Sequence, residues 1–364
     1  MNNDISLYKK FQDLDDSLEN FCLNIKNYLF EDFDNEENHK KFIKETFDKF
    51  HKEELLKSDV LDYTSCRFDI NNMSRIIHTN NVFLLGYSIY NNLNVDEYFN
   101  NEYFDKYNKK EEQFKLIWFL SAIIHDFLFD IENEKGEKNY EDINGDIETL
   151  LNKFNIDNKL YNNGYLSVFA ECNKVNKFYR ILKNYYKYRY CYDDKIDHGI
   201  ATGIVLFDVL VKNRKKKQDQ CANKKYWKEG LNKIYAEACL YISAHNIWSP
   251  NSKEKEKTYK DYRLELLVDT EENENIFPIK FNEMPYLFLL GLADTLEPTK
   301  NYNENASDVL KNINIDFDKK SLTISKNKTS KLDFTKMTKK VRGLETWLAV
   351  EVCVSNSSIK ITIL

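Results

Sequence analysis

Apolar residues recur at spacings of three and four over long stretches of the chain. Leu7, Phe11, Leu14, Leu18, Phe21, Ile25 and Leu29 mark an amphipathic helix over residues 4–30, with Asp4 as its N-cap. Phe42, Ile43, Phe47, Phe50 and Leu55 repeat the pattern over 38–57. The segments around 73–92, 112–129, 198–212, 227–247 and 284–297 are long and apolar, which predicts buried helices. Pro285 suits the first turn of the last of these. After Pro298 the period changes from 3.6 to 2. Ile313, Ile315 and Phe317, then Leu322 and Ile324, flank Asp318-Lys319-Lys320 and predict a hairpin. A short helix is expected over 333–346, and alternation returns at Val350–Val354 and Ile359–Leu364. Two polar stretches, 212–228 and 249–275, read as exposed loops.

Composition agrees with this pattern. Only 9 Gly and 4 Pro in 364 residues are too few for an all-β fold with a turn every few residues. The expected fold is therefore mainly α, a helical core with a small C-terminal α+β appendage. The expected division is 1–60 as a helical extension, 61–304 as the core with an insertion at 131–190, and 305–364 as the appendage. A net charge of −6 argues against a general nucleic-acid binder, although the basic run at Lys212–Lys225 can attract phosphate. The 7 cysteines are scattered without a CxxC pair, which suits reduced cytoplasmic thiols. Met1–Lys10 lacks the apolar core of a signal peptide, and no apolar run reaches the length of a membrane span.

The candidate chemistry lies in the histidines, of which there are 6. His39 and His51 fall on a charged helix and read as surface residues. The other four sit in or at the edge of apolar helices: His78, His125 (followed by Asp126), His198 and His245. Asp294 lies in the apolar run Leu289-Leu290-Gly291-Leu292-Ala293. A lone His-Asp dipeptide arises by chance about half the time at this composition. The set says more, because buried imidazoles and carboxylates are best satisfied together by a cation. Nitrogen and carboxylate donors without thiolate suit Fe, Mn, Co, Ni, Zn or Mg.

The ordered pattern His78, His125-Asp126, Asp294, with Arg75-x-x-His78-Thr79-x-x-Val82 around its first member, resembles the HD superfamily of metal-dependent phosphohydrolases over roughly residues 70–300. His198 and His245 fill the two positions that members with a two-metal centre add between the HD pair and the last Asp. The resemblance implies His78, His125, Asp126 and Asp294 around one divalent ion, and Asp126 bridging to a second held by His198 and His245. Ions about 3.5–4 Å apart can activate a shared water for in-line attack on phosphorus. Many members have a Gly-Lys shortly after the pair to hold phosphate, where this chain has Phe127-Leu128-Phe129-Asp130. Arg75 is therefore the first candidate for charge neutralisation, with Lys195 and Lys300 after it. Asp197 and Asp130 are candidates for orienting the ligand imidazoles.

The implied activity is hydrolysis of a phosphoester in a nucleotide or cyclic (oligo)nucleotide. Three alternatives stay open: a single-stranded nucleic-acid nuclease, a di-iron oxygenase of the same fold, and a nucleotide sensor. The many aromatics in and near the insertion, from Tyr161 to Tyr192, suit base stacking or simple core packing. The C-terminal segment is expected to mediate self-association or pairing with a protein partner.

Overall fold

The computed structural model describes residues 5–14, 29–52, 75–93, 110–133, 151–152, 154–156, 173–220, 230–268 and 276–364. The described chain is mainly helical, with one four-stranded antiparallel sheet near its C-terminus. It divides into two compact units. The first comprises Met1–Leu61, Arg75–Ile123 and Pro278–Leu364; the second comprises Asp62–Ser74 and Ile124–Phe277.

In the first unit the helices are α1 (Leu7–Asp13), α2 (Glu36–Lys52), α3 (Ile76–Asn92), α4 (Lys110–Ile124, whose last residue already belongs to the second unit), α9 (Pro285–Leu296), α10 (Ala306–Lys311) and α11 (Thr335–Val341). Helix α3 is buried along most of its length, polar His78, Asn80 and Asn81 included, and packs against α9 and α2. Gly86 on α3 leaves the space that the Trp118 ring of α4 fills, and the Trp118 indole N–H donates to the Phe83 carbonyl at 3.2 Å. Gly291 on α9 plays the same part for Trp347. These pairs follow one logic: a missing Cβ lets a large buried ring lie flat on a helix backbone. The sheet follows the alternation. Strands β1 (Ile313–Asp318) and β2 (Ser321–Lys326) pair from Ile313–Lys326 to Asp318–Ser321, so Lys319-Lys320 form a two-residue turn. With β3 (Val350–Val354) and β4 (Ser358–Ile363) the order is β1-β2-β4-β3.

In the second unit the helices are α5 (Asn173–Cys191), α6 (His198–Gln220), α7 (Gly230–Ala244) and α8 (Lys253–Asp261), with a 3-10 turn at Phe129–Asn133. Helices α6 and α7 form its main packing pair. Gly199 and Gly203 of α6 meet Ile242, Ser243 and His245 of α7 and its end so closely that added Cβ atoms would clash with them. Tyr185, Tyr186 and Tyr188 of α5 are buried, and Tyr185 and Tyr188 pack their rings on Tyr259 of α8. They are core, not a stacking platform. Tyr161, Tyr165 and Phe169 lie outside the described residues.

Several expectations need correction. The first helix is capped by Ser6, whose hydroxyl accepts from the Lys9 amide at 3.3 Å; Asp4 and residues 15–28 lie outside the described residues. The basic run does not begin as a loop, because α6 continues through it to Gln220. Within 249–275 the residues Lys253–Asp261 form helix α8, N-capped by Ser252 through the Lys255 amide at 3.2 Å, and 269–275 lie outside the described residues. His39 is not a surface residue but fully buried: its Nε2 donates to the Phe33 carbonyl at 2.8 Å, and the Asn80 amide donates to its Nδ1 at 2.9 Å. Among the described residues Cys191, Cys239 and Cys353 are free thiols, and no helix is long and apolar enough to cross a membrane.

Candidate metal centre

The histidine-aspartate groups sit at helix ends. In the second unit His125 and Asp126 form the turn after α4, His198 is the first residue of α6, and His245 follows the last residue of α7. The helix expected over 112–129 thus stops at Ile124, and turn bonds from the Phe127 and Phe129 amides hold the next residues. The Leu128 amide donates to the Thr202 hydroxyl at 3.2 Å, tying this turn to α6. Asp197 starts α6 by accepting from the Ile200 amide at 2.9 Å, an ordinary N-cap.

These local choices gather three imidazoles around one carboxylate oxygen. Asp126 Oδ1 lies 3.0 Å from His198 Nε2, 3.6 Å from His125 Nε2 and 3.7 Å from His245 Nε2. All four residues are buried. The ligand atoms of His125, Asp126 and His245 lie within 4.8 Å of one another. Donors that share one ion at bond lengths near 2.1 Å stand about 3–4 Å apart, so this spacing fits an ion. The tautomer of His245 supports the fit. Its Nδ1 lies 2.6 Å from the Ile242 carbonyl, which only accepts, so Nδ1 carries a proton and Nε2 is the nitrogen turned towards Asp126. Imidazole nitrogens and a carboxylate gathered in a buried space can be satisfied together by a cation. Buried His and Asp groups that can hold a metal ion are therefore present, and nitrogen and oxygen donors suit the divalent ions expected.

Two residues without a sequence signal face His198: the Asn246 amide, 2.9 Å from Nε2 and 3.3 Å from Nδ1, and Glu132. Glu132 Oε1 lies 3.5 Å from His198 Nδ1 and 2.6 Å from Arg189 Nη2. Arg189 also binds Asp193 at 2.7 Å and lies 3.4 Å from Asp197. Burial opposes charge on Glu132, but His198, Arg189 and Lys195 outweigh it and pull its pKa down to about 2. Burial likewise disfavours protonated His198, yet Asp126 and Glu132 overcome it and raise its pKa to about 9. Asp197 is thus a helix cap joined to Arg189, and Asp130 is exposed. Lys195 is exposed too, acting on Glu132 through its charge.

In the first unit His78 and Asp294 meet as a second group. His78 Nε2 lies 3.1 Å from Asp294 Oδ1, and His78 Nδ1 lies 2.8 Å from Glu297 Oε2. Glu297 is fully buried at the C-cap of α9 and accepts from Asn81, from the Thr299 amide and hydroxyl, and from the Lys300 amide. Burial lowers the pKa of His78, but these two carboxylates outweigh it and the net shift is upward. Asp294 is not sealed from solvent as expected: its side chain is 21% exposed and pairs with Lys300 Nζ at 2.5 Å. Arg75 does not lie on the helix of His78 but just before it, as the N-cap of α3. The only forewarning of Glu297 was its place as a charge ending an apolar run before Pro298.

No family model matches the chain, and neither a curated protein nor a solved structure matches it.

Proposed function

We propose that this chain is a metal-dependent phosphohydrolase acting on a phosphoester of a nucleotide-like substrate. The observation that carries the reading is the placement of His125, His198 and His245 Nε2 within 3.0–3.7 Å of one Asp126 oxygen. The same residues hold the HD-type positions of the sequence pattern, and His78 and Asp294 hold the remaining two. A bound divalent ion supplies Lewis acidity and lowers the pKa of a water towards neutrality.

The chain's own residues prepare that chemistry. Ile242 holds a proton on Nδ1 of His245, so Nε2 is the nitrogen that would meet an ion. Glu132, held by Arg189, faces Nδ1 of His198 and keeps a proton there, so that Nε2 is the nitrogen turned to Asp126. Asp126 contributes the carboxylate common to the three imidazoles. Within the first unit, Lys300 pairs with Asp294, and Arg75 stands just before the helix of His78.

The test is metal analysis of the purified protein by mass spectrometry, followed by a phosphate-release screen across nucleotides with Mn, Fe, Co, Ni, Zn and Mg. The expected result is bound metal and metal-dependent release, both abolished in Asp126→Ala. Undiminished release by Asp126→Ala overturns the reading.

A further inference from the structure

We propose that Arg189, on α5, is a positioning residue of the metal centre: it holds Glu132 against His198 and ties down Asp197, the residue that opens the helix of His198. The inference rests on the metal centre within the phosphohydrolase reading, and it gives a role to α5, which carries none of the expected ligands.

Arg189 stands in the last turn of α5, with its side chain 19% exposed. Its guanidinium meets three carboxylates. Nη2 donates to Glu132 Oε1 at 2.6 Å, Nη1 donates to Asp193 Oδ2 at 2.7 Å, and Nε lies 3.4 Å from Asp197 Oδ2. The three come from separate places. Glu132 belongs to the 3-10 turn that follows His125 and Asp126, Asp193 to the link between α5 and α6, and Asp197 to the N-cap of α6. The backbone of Arg189 closes the same link, because its carbonyl accepts from the Lys195 amide at 3.0 Å.

Two of these carboxylates bear directly on His198. Glu132 Oε1 lies 3.5 Å from its Nδ1. Asp197 is fully buried and immediately precedes it; Oδ1 accepts from the Ile200 amide at 2.9 Å, and Oδ2 is turned to Arg189. A buried carboxylate is costly without a cation, and the rigid fork of a guanidinium can serve several acceptors at fixed angles where an ammonium cannot. The same helix reaches the other flank of His198. Tyr185, one turn before Arg189, donates its hydroxyl to the Asn246 carbonyl at 2.8 Å, and the Asn246 amide lies 2.9 Å from His198 Nε2. Helix α5 is itself a firm base, since Tyr185 and Tyr188 are buried and pack their rings on Tyr259. A salt bridge made only for stability needs one carboxylate. Here the arginine gathers two that bracket a histidine whose Nε2 lies 3.0 Å from Asp126 Oδ1.

The experiment titrates Co(II) into the full chain after a chelator has removed other metal. It records the affinity and the visible absorption of bound Co(II), which follows the number and kind of its ligands. His198→Ala supplies the spectrum of a centre that has lost this imidazole. Arg189→Lys keeps the charge but not the fork. It is expected to bind Co(II) about ten- to a hundredfold more weakly, with its absorption moved towards that of His198→Ala and its circular dichroism unchanged. Lys187→Gln, which removes an exposed cation from the same helix, is expected to match the unaltered chain in both readouts. If Arg189→Lys does not fold, the pair Glu132→Gln with Arg189→Gln removes one charge of each sign and is expected to show the same loss and the same spectral change. Equal affinity in the folded variant overturns the inference and leaves the phosphohydrolase reading standing. Weaker binding with an unmoved spectrum also overturns it, since Arg189 then serves stability alone. A His198→Ala spectrum identical to that of the unaltered chain overturns it as well. Absence of Co(II) binding by the unaltered chain overturns the inference and the reading together. Weaker binding with the moved spectrum, in a chain that releases phosphate with no metal, supports the role of Arg189 and overturns only the phosphohydrolase reading.

Discussion

Gly199 lies directly against the imidazole of His245. A Cβ at position 199 would come within 2.9 Å of His245 Cε1, 3.0 Å of its Nδ1 and 2.9 Å of the Ile242 carbonyl oxygen. That carbonyl is the same one that fixes the His245 proton. One added methyl group therefore strikes both the ring and the bond that orients it. Gly199→Ala is expected to cost about 1–3 kcal/mol of stability through overpacking. It is also expected to weaken metal binding by about ten- to a hundredfold, the usual range when the support of a ligand is disturbed. Thermal melts and metal titrations of the purified variant measure the two effects. Metal affinity equal to that of the unaltered chain would show that His245 holds no ion.

Asp126 is the oxygen common to three imidazoles, so its loss is expected to erase the response to metal. A ligand that binds only the folded state stabilises it by about 2.7 kcal/mol at a hundred times its dissociation constant. The unaltered chain is expected to melt at higher temperature as Mn or Zn is added. Asp126→Ala is expected to show no such rise. A metal-dependent rise of the same size in the variant would place the ion elsewhere.

Glu132 acts on His198 without being one of the expected ligands. Glu132→Gln keeps the size of the side chain but removes the charge facing His198 Nδ1 and Arg189. The expected outcome is a loss of metal affinity of about tenfold or more, with the fold retained. Circular dichroism checks the fold and metal titration checks the affinity. Unchanged affinity would assign Glu132 to the Arg189 network alone.

His39 gives the fold of the first unit a pH dependence. Burial lowers its pKa to about 4, against 6.5 for a free imidazole. The Phe33 carbonyl occupies Nε2–H, and the Asn80 amide needs an unprotonated Nδ1. Between these two values the unfolded chain binds the extra proton and the folded chain does not. Stability is then fully present above about pH 6.5 and falls as the pH drops towards 4, by about 3 kcal/mol if the whole shift is expressed. Melting curves across this range test it. In His39→Gln the slope is expected to flatten, and a slope identical to that of the unaltered chain would assign the acid sensitivity to other groups.

Some of this was legible along the chain because the signal was local. The hairpin at Ile313–Lys326 needed only alternation and a polar pair in the middle, and Pro285 opens α9 because its fixed φ suits a first turn. Helix α8 was missed for a different reason. It lies in a stretch too polar for an apolar stripe, yet Ser252, Glu254 and Glu256 at its start and Lys260 at its end suit a capped helix. Apolar periodicity alone does not see a helix whose stability comes from its termini. The burial of His78, His125, His198 and His245 followed from their apolar neighbours. Glu132 and Glu297 did not announce themselves, since each acts on a histidine far away in sequence: 66 positions on for His198, and 219 positions back for His78. Such partnerships are made by packing and leave no periodic trace. His39 misled for the same reason, because its partner Asn80 is 41 positions away.

The division of the chain into units bears on the order in which it is made. The second unit is drawn almost entirely from the uninterrupted stretch Ile124–Phe277, whereas the first needs three separate stretches, the last of them Pro278–Leu364. During synthesis on the ribosome, the second unit therefore has its segments in hand before α9, the sheet and α11 have emerged. The first unit must wait, its early helices α1–α4 exposing apolar faces until the final stretch arrives. A stalled or prematurely stopped chain is then left with His125, Asp126, His198 and His245 all made but with α3 lacking its α9 partner. Such a product is one for chaperones and proteases to sort.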